Sequence, residues 1–221
     1  MSQIVECVPN FSEGQDNNII DAIAASIDAV EGVKLLSVEP DKDYNRTVIT
    51  FVGEPNSVKE AAFQATKAAS ELIDMTNHKG EHPRLGTVDV VPFVPVSGAT
   101  MDDCVKLARE YGERVARELN IPIYLYEEAA TKPDRKNLAT IRKGEYEGLP
   151  EKLKDPNWYP DFPIVGENQF NPKSGATVTG ARFFLIAYNV NLKTGDKNIA
   201  HEIALRIRES GRPKKNEKGE V

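Results

Sequence analysis

Histidine and cysteine are scarce in this chain, which has three histidines and two cysteines in 221 residues. Cys7 and Cys104 lie far apart, each inside an apolar periodic segment, and this favours buried, reduced thiols over a disulfide framework. The N-terminus has no charged region followed by an apolar core, and no window approaches the roughly 20 apolar residues that a membrane-spanning helix needs. We therefore expect a cytoplasmic protein with no membrane partner.

Positive charge is also in short supply. Aspartate and glutamate number 34 against 28 lysines and arginines, which gives a formal net charge of −6 at pH 7. Proteins that bind nucleic acid or anionic membranes usually carry a basic surplus, so this balance argues against both partners. With 40% hydrophobic and 28% charged residues, the composition is typical of a globular protein of one large domain or two small ones. Small-molecule chemistry is the default expectation.

Two of the three histidines, His78 and His82, stand close together in the sequence. Their spacing around a glutamate would suggest a zinc helix, but Gly80 is a poor helix former and Pro83 pushes the residue before it to extended backbone. A loop is favoured instead, and loops are where a rigid scaffold displays catalytic groups. A metal hydrolase built on His78, Glu81 and His82 is the disfavoured alternative, because no third ligand stands out.

Apolar periodicity predicts alternating strands and helices along the first 126 residues. Strands are indicated at 4–8, 33–38, 46–52, 88–94 and 123–126. Helices are expected to start at a cap formed by Asp16 and at two capping boxes, Ser57 with Glu60 and Thr100 with Asp103. Pro92 places its strand at an edge or at a bulge. The order is a split β-α-β arrangement with one added α-β unit, so we expect an α/β (α+β) fold, a mixed sheet with helices packed on one face.

The pattern weakens from residue 127 to residue 174, where short helical turns are indicated near 136–154. An irregular segment of this length is usually functional or a linker. A strand is then strongly indicated at 183–190, followed by a helix that carries an exposed His201. One strand and one helix cannot bury a core of their own. We therefore divide the chain into a first subdomain at 1–181 and the truncated start of a second α/β unit at 182–221.

Three stretches, VECVPNFSEG at 5–14, HKGEHPRLG at 78–86 and GATVTGAR at 175–182, resemble the glutamate formimidoyltransferase family. The similarity is ordered along the chain and includes RKGEYE at 142–147. The resemblance implies a folate enzyme of histidine degradation, which moves the formimidoyl group between N-formimidoyl-L-glutamate and N5 of tetrahydrofolate. It implies tetrahydrofolate as a co-substrate, no metal, and two similar α/β subdomains with the folate between them.

By its position in the matched motif, His82 carries over as the catalytic proton acceptor. The chemistry of the residue agrees, since the transfer needs a base for the attacking amine and an acid for the departing one, and one imidazole can serve both. The substrates are anionic, and the cations nearest to the matched motifs are Lys79, Arg84, Arg46 and Arg182. Arginine pairs carboxylates in a bidentate way, so Arg84 and Arg182 rank above Lys79 as substrate anchors.

The resemblance also implies a folate-binding segment, followed by a glycine-rich turn at 175–180 that would let the backbone approach a flat ligand. The residues of this segment are Pro163, Ile164, Val165, Gly166, Glu167, Asn168, Gln169, Phe170, Asn171, Pro172, Lys173, Ser174 and Gly175. His78 is expected to support the site through hydrogen bonds.

The shortened second subdomain leaves an alternative open. The protein would then be a folate-binding or interaction remnant without transferase activity. The charged stretch at 212–220 resembles a solvated loop in mid-domain, which suggests a truncated chain or a gene split across two chains. The partners expected are small-molecule substrates, a second copy of the chain in a homodimer, or a separate chain that supplies the second subdomain.

Overall fold

The computed structural model describes residues 3–165, 169–186, 190 and 192–207. The strands are β1 (Ile4–Cys7), β2 (Asn10–Phe11), β3 (Val33–Asp41), β4 (Arg46–Gly53), β5 (Val88–Ser97), β6 (Ile123–Glu127) and β7 (Thr177–Ala181). The helices are α1 (Asn17–Asp28), α2 (Pro55–Leu72), α3 (Met101–Leu119), α4 (Leu138–Arg142), α5 (Glu145–Lys152) and α6 (Lys197–Ile207), with short 3-10 helices at Pro133–Arg135 and Pro156–Trp158. The chain divides into two compact units, residues 1–184 and 185–221.

All seven strands belong to one mixed sheet in the first unit. β3 pairs with β4, β4 pairs with β1 and β2, and both of these pair with β5, every time in antiparallel fashion. β7 then lies between β5 and β6 and is parallel to both. The predicted mixed α/β sheet is confirmed. No helix in the described part of the chain is both long and apolar enough to span a membrane.

The three long helices pack on one face of the sheet. Ile23 of α1, Ala65 of α2 and Tyr111 of α3 are buried there against strand residues such as Phe51 and Phe93. Each fully buried side chain of the size of Ile or Phe contributes about 1.5–3 kcal/mol through removal of apolar surface from water. The short helices α4 and α5 add a second layer on the other face, over β6 and β7.

The helix starts agree with the sequence at two of three places. Asp16 caps α1, and Thr100 with Asp103 forms the predicted capping box of α3. The predicted box of Ser57 and Glu60 is wrong, because α2 already begins at Pro55. Proline has its φ preset for the first helical turn and lacks an N–H that would need a cap there.

The predicted glycine-rich turn at 175–180 is wrong from Thr177 onward, because these residues form the buried internal strand β7. The hydroxyls of Thr177 and Thr179 donate to the carbonyls of Val88 at 2.7 Å and Val91 at 2.8 Å, respectively. Small and hydroxyl-bearing side chains suit a strand enclosed on both sides, but they give no apolar alternation in the sequence.

Two further strand predictions also differ from the structure. Pro92 lies within an internal strand, opposite the interruption between β1 and β2, so its missing N–H falls where the neighbouring strand is broken. The described residues of the predicted strand at 183–190, namely 183–186 and 190, are not in a strand, and 187–189 lie outside the described residues. Phe183 is 72% exposed and Ile186 is 89% exposed. A strand needs a paired neighbour, and the described residues provide none for this stretch.

Candidate active site

The histidine loop, residues 78–84, is held against the turn between β3 and β4 by Asn45. The Asn45 side chain accepts a hydrogen bond from the N–H of Gly14 at 2.9 Å and donates one to the carbonyl of Lys79 at 2.8 Å. Its own carbonyl lies 3.1 Å from Nε2 of His78. Asn45 has φ +46°, a left-handed conformation that asparagine tolerates better than most residues. One residue of the turn therefore positions the loop.

Gly80 allows the histidine loop to lie directly on this turn. A Cβ atom at Gly80 would come within 2.4 Å of the carbonyl oxygen of Tyr44 and within 2.7 Å of the Asn45 Cβ. Beside it, the N–H of Glu81 donates to the carbonyl of Asp43 at 3.3 Å. The segment is a loop, as predicted, and its glycine is needed for the close approach of two backbones.

His78 has partners at both ring nitrogens. Nε of Arg84 can only donate, so Nδ1 of His78, at 3.2 Å, must accept. Nε2 then carries the proton and donates to the carbonyl of Asn45. Burial lowers the pKa of His78, so this neutral tautomer is the form present at pH 7. These contacts agree with the supporting role predicted for His78.

His82 lies on the same loop in a different environment. Its ring is half-buried, Nδ1 is sealed from solvent with no hydrogen-bond partner, and the ring of Tyr44 stands edge-on with the centroids 6.3 Å apart. Burial, together with the positive charges of Arg46 and Arg142, lowers the pKa of His82 to about 4. The imidazole is therefore neutral at pH 7 and is a proton acceptor.

Arg84, predicted as a substrate anchor, has its donors engaged within the protein. The residue is 5% exposed, pairs with both carboxylate oxygens of Glu147 at 2.6 and 2.9 Å, and reaches Glu145 at 3.0 Å. With the bond to His78, each of its three guanidinium nitrogens has a partner. Arg84 thereby ties the start of α5 to the histidine loop.

An open depression of about 410 Å³ lies beside the loop. It is lined by Lys79, Gly80, Arg84, Gly144, Glu145 and Glu147. Both predicted substrate-binding cations of the loop, Lys79 and Arg84, face it. Its two positive and two negative side chains balance, so the depression carries no surplus charge for an anion.

Arg142, at the end of α4, forms a buried ion pair with Asp89 of β5. Asp89 is 1% exposed and accepts from Nε of Arg142 at 3.2 Å, from Nη2 at a shorter distance, and from the N–H of Leu85 at 3.0 Å. In the sequence, Asp89 stands out as a charged interruption of an apolar strand. Its partner lies 53 residues away, and no local pattern connects the two.

Arg46, at the start of β4, has donors that the described residues leave unsatisfied. Nη1 donates to the side-chain oxygen of Asn10 at 2.7 Å, whereas Nε is buried without an acceptor. No described carboxylate forms an ion pair with Arg46. Burial lowers the pKa of Arg46, and the charges of Asp41 and Asp89 offset only part of this effect. The site thus holds an unpaired cation whose charge acts on His82.

The C-terminal half of the predicted folate segment runs beside the histidine loop. Gly175 forms a β-bridge with Gly86 and has φ +66°. The carbonyl of Pro172 accepts the hydroxyl of Tyr146 at 2.6 Å, and the ring of Phe170 lies 5.7 Å from that of Tyr146. The chain therefore brings this half of the segment to the site.

Polar side chains in the C-terminal half of the predicted folate segment form hydrogen bonds to other parts of the first unit. Nζ of Lys173 donates to the carbonyl of Glu71, and Nδ2 of Asn171 donates to the carbonyl of Asn120, both at 2.8 Å. Ser174 is 4% exposed. These groups anchor the segment to α2 and to the end of α3.

In the N-terminal half, Ile164 and Gln169 are joined by two hydrogen bonds of 2.9 and 3.1 Å, and Val165 between them is 87% exposed. Pro163, which precedes them, is exposed. Gly166, Glu167 and Asn168 lie outside the described residues.

The structure does not bring Arg182 to the histidine loop. Arg182 follows the C-terminal end of β7, whereas Gly175 precedes its N-terminal end, and the extended chain between them covers about 20 Å. The charge of Arg182 acts on Glu6 and on the hydroxyl of Tyr126. The ring of Tyr126 lies across Gly180, where a Cβ would meet it at 2.6 Å.

The two cysteines are buried and free. Burial raises the pKa of the Cys7 thiol well above its ordinary value and that of Cys104 to about 12, so neither is a thiolate at neutral pH. Among the described residues, no three His, Cys, Asp or Glu side chains group as a metal-binding cluster.

The fold and the site together describe an α/β protein in which a neutral imidazole can exchange a proton beside a cationic patch. Residues 4–182 match the family described as "Formiminotransferase domain, N-terminal subdomain", and residues 187–221 match the one described as "Formiminotransferase domain". The chain belongs to the formiminotransferase family, as the sequence resemblance predicted.

Relatives from distant organisms are similar over nearly the whole chain. A Formimidoyltransferase-cyclodeaminase of Dictyostelium discoideum is 58% identical over 96% of this chain, which covers 39% of that relative. A protein named Glutamate formimidoyltransferase in Streptococcus pyogenes serotype M1 is 52% identical over 96% of this chain, and the chain covers 70% of that protein. A protein of the same name in Thermoplasma acidophilum is 52% identical over 93% of this chain, and the chain covers 67% of it. The chain thus spans about two fifths of the first relative and about two thirds of the other two.

Proposed function

We propose that this chain transfers the formimidoyl group between N-formimidoyl-L-glutamate and N5 of tetrahydrofolate, in histidine degradation in the cytoplasm. The single observation that carries the proposal is His82, a neutral imidazole in a loop fixed on both sides and surrounded by cations. The names of the Streptococcus and Thermoplasma relatives support the same chemistry.

His82 serves in turn as base and as acid. The N5 amine attacks the formimidoyl carbon, the new C–N bond forms, and His82 accepts the proton that N5 loses. The imidazolium then donates this proton to the glutamate nitrogen, the old C–N bond breaks, and glutamate leaves. A correctly placed acid-base group of this kind contributes about 10²–10⁴-fold in rate.

The surrounding charges match these two roles. Burial and the charge of Arg46 hold the pKa of His82 near 4, so the imidazole is present as the base. An anionic donor placed among the same cations would offset their effect and raise that pKa toward neutrality. Proton return to the departing amine then costs less free energy, because an acid with a pKa near the working pH is the most effective.

Tetrahydrofolate is the co-substrate in this proposal. The segment 163–175 is expected to contribute to its site, and the half that lies beside the histidine loop, including Phe170 and Gly175, would be adjacent to the reacting atoms. Lys79 and Arg84 border the neighbouring depression, and Arg84 positions the histidine loop through its ion pairs with Glu145 and Glu147. We expect the active form to be a homodimer or a complex with a chain that supplies the second subdomain.

The first test replaces the catalytic histidine. His82→Gln should lower the rate of transfer from N-formimidoyl-L-glutamate to tetrahydrofolate by about 10²–10⁴-fold, because no other imidazole takes its place. His201→Gln, on the exposed surface of α6, is the matched control and should keep full activity. Circular dichroism and thermal unfolding should show all three proteins folded. Full transfer activity in His82→Gln would refute the assignment.

The same assay tests the remnant alternative. Binding of tetrahydrofolate without any transfer would favour a folate-binding remnant. Transfer that appears when a chain equivalent to the remainder of the Streptococcus relative is supplied separately would support a site shared by two chains.

A further inference from the structure

The cations near His82 differ in the hydrogen-bond and ion-pair partners that they already have. Arg84 has its donors engaged by Glu145, Glu147 and His78. Lys79 shares a depression in which positive and negative side chains balance. Arg84 therefore has no free guanidinium nitrogen for a ligand carboxylate, and the ammonium of Lys79 lies where positive charge is not in surplus.

Arg46 is the exception. Residues of β4 alternate between the two faces of the sheet, with Thr47, Ile49 and Phe51 buried and Arg46 and Val48 half-buried. Because Ile49 and Phe51 pack in the core with the three long helices, Arg46 lies on the opposite face, which these helices leave uncovered. Its Nε is buried without an acceptor, and it has no ion-pair partner among the described residues.

Arg142 offers a second donor beside it. The buried Asp89 holds Nε and Nη2 of Arg142, so one edge of the guanidinium is fixed, and Nη1 has no hydrogen-bond partner in the described part of the chain. Arg46 and Arg142 act electrostatically on each other and both act on His82, so the three side chains form one neighbourhood. The two arginines and Asp89 together carry one surplus positive charge, and Asp41, whose charge also acts on Arg46, forms no ion pair with it among the described residues.

We propose that Arg46 and Arg142 form a carboxylate-binding subsite beside His82, and that it holds the α-carboxylate of the amino-acid donor. The identity of the donor rests on the proposed function. In N-formimidoyl-L-glutamate the α-carboxylate is attached to the carbon that bears the reacting nitrogen, so it must lie next to the base. The glutamate tail of a folate is separated from N5 by an aromatic ring and cannot be at the base in the same complex.

The test is a thermodynamic cycle that compares the binding of two ligands, one of them truncated, to the unaltered protein and to a variant. The ligands are N-formimidoyl-L-glutamate and N-formimidoyl-4-aminobutanoate, which lacks the α-carboxylate and is otherwise the same. Their binding is measured by calorimetry without tetrahydrofolate, so no turnover occurs. Arg46→Gln should weaken binding of the glutamate compound by about 10- to 100-fold, the range of a hydrogen bond to a charged group, and should leave binding of the truncated compound unchanged.

Two further variants control the result. Arg46→Lys keeps the charge but not the bidentate fork, so it should recover part of the affinity and show that the fold survives at this position. Arg117→Gln removes an exposed arginine from α3 and should bind both ligands as the unaltered protein does. An equal loss for both ligands in Arg46→Gln would overturn the proposal, and so would failure of the unaltered protein to prefer the glutamate compound.

Turnover with tetrahydrofolate separates this proposal from the proposed function. If the ligand preference depends on Arg46 but no transfer occurs, the subsite stands and the transferase assignment falls. If transfer proceeds and Arg46→Gln leaves the KM for the donor unchanged, the transferase stands and the subsite falls.

Replacing tetrahydrofolate with tetrahydropteroate, which has no glutamate tail, should not alter the effect of Arg46→Gln. If it removes that effect, the arginine binds the folate tail and the donor assignment is refuted.

Discussion

The two histidines of the loop owe their different properties to their partners. His78 has both ring nitrogens engaged, which fixes one neutral tautomer. His82 has a buried Nδ1 without a partner and is surrounded by cations, with no carboxylate hydrogen-bonded to its ring in the described structure. Its proton affinity is therefore set by burial and by neighbouring charge.

This environment predicts a depressed titration of His82. Because the folded-state pKa is near 4 and the ordinary value is 6.5, the unfolded chain binds more protons between these values. Stability should therefore fall as the pH drops from 6.5 toward 4, and His78, whose pKa is also lowered, adds to this loss. Proton-nitrogen correlation spectra of the imidazoles, with His82→Gln to assign the signal, should show His82 titrating well below pH 6.5. Titration at or above 6.5 would contradict this description of the site.

At the scale of elements, the histidine loop is held from two sides. The turn between β3 and β4 holds it through Asn45, and the start of α5 holds it through Arg84 and through the N–H of Tyr146, which donates to the Arg84 carbonyl at 2.9 Å. A loop with such contacts keeps a catalytic side chain in place without regular secondary structure.

Substitutions at two glycines, Gly80 in the loop and Gly148 in α5, test this arrangement. Gly80→Ala would place a Cβ within 2.4 Å of the Tyr44 carbonyl, so the loop must move and transfer activity should fall by at least tenfold. In Gly148→Ala the new Cβ in α5 would have nothing within 4 Å, and helix propensity should raise the free energy of unfolding by about 0.5–1 kcal/mol. Activity assays and denaturant unfolding of both variants provide the check. Unchanged activity in Gly80→Ala would show that the loop position is not critical.

The sequence was most informative about helices and strands whose formation depends on local residues alone. Helices α1 and α3 follow from apolar spacing with a local cap, and both were predicted with their caps. Strand β7 was missed because Thr, Gly and Ala carry little apolar signal, although small side chains are what a strand between β5 and β6 accommodates. The opposite error at 183–186 arose because apolar residues indicate burial only if a neighbour exists to cover them.

For the candidate site, the matched motifs drew attention to the histidine loop and predicted different roles for its two histidines. They could not rank the cations, because the ranking depends on which arginine is already paired. Arg84 meets its carboxylates 61 and 63 residues further along the chain, and Arg142 meets Asp89 across 53 residues. Such pairings are set by the fold, and among the described residues they leave Arg46 half-buried without an ion-pair partner.

At the scale of the whole molecule, the two units differ in how much of their surface is buried. Helix α3 buries seven residues, from Cys104 to Ala116, whereas α6 buries none and its Ile199 and Ile203 are 47% and 41% exposed. An unpacked helix of 11 residues is marginal in water. We expect hydrogen exchange measured by mass spectrometry to be orders of magnitude faster in α6 than in α3. Equal protection of both would mean that α6 is covered in solution.

The position of β7 in the sheet has a consequence for how the protein is made. The strand that joins β5 to β6 is the last of the seven strands of this sheet to be synthesised, so a nascent chain that has not reached Ala181 has two facing strand edges with nothing between them. Unpaired edges are templates for association with other chains. A protein cut short before Thr177 should aggregate, and the histidine loop would lack its backbone partner at Gly175. The order of synthesis thus makes assembly of the site one of the last steps in folding of the first unit.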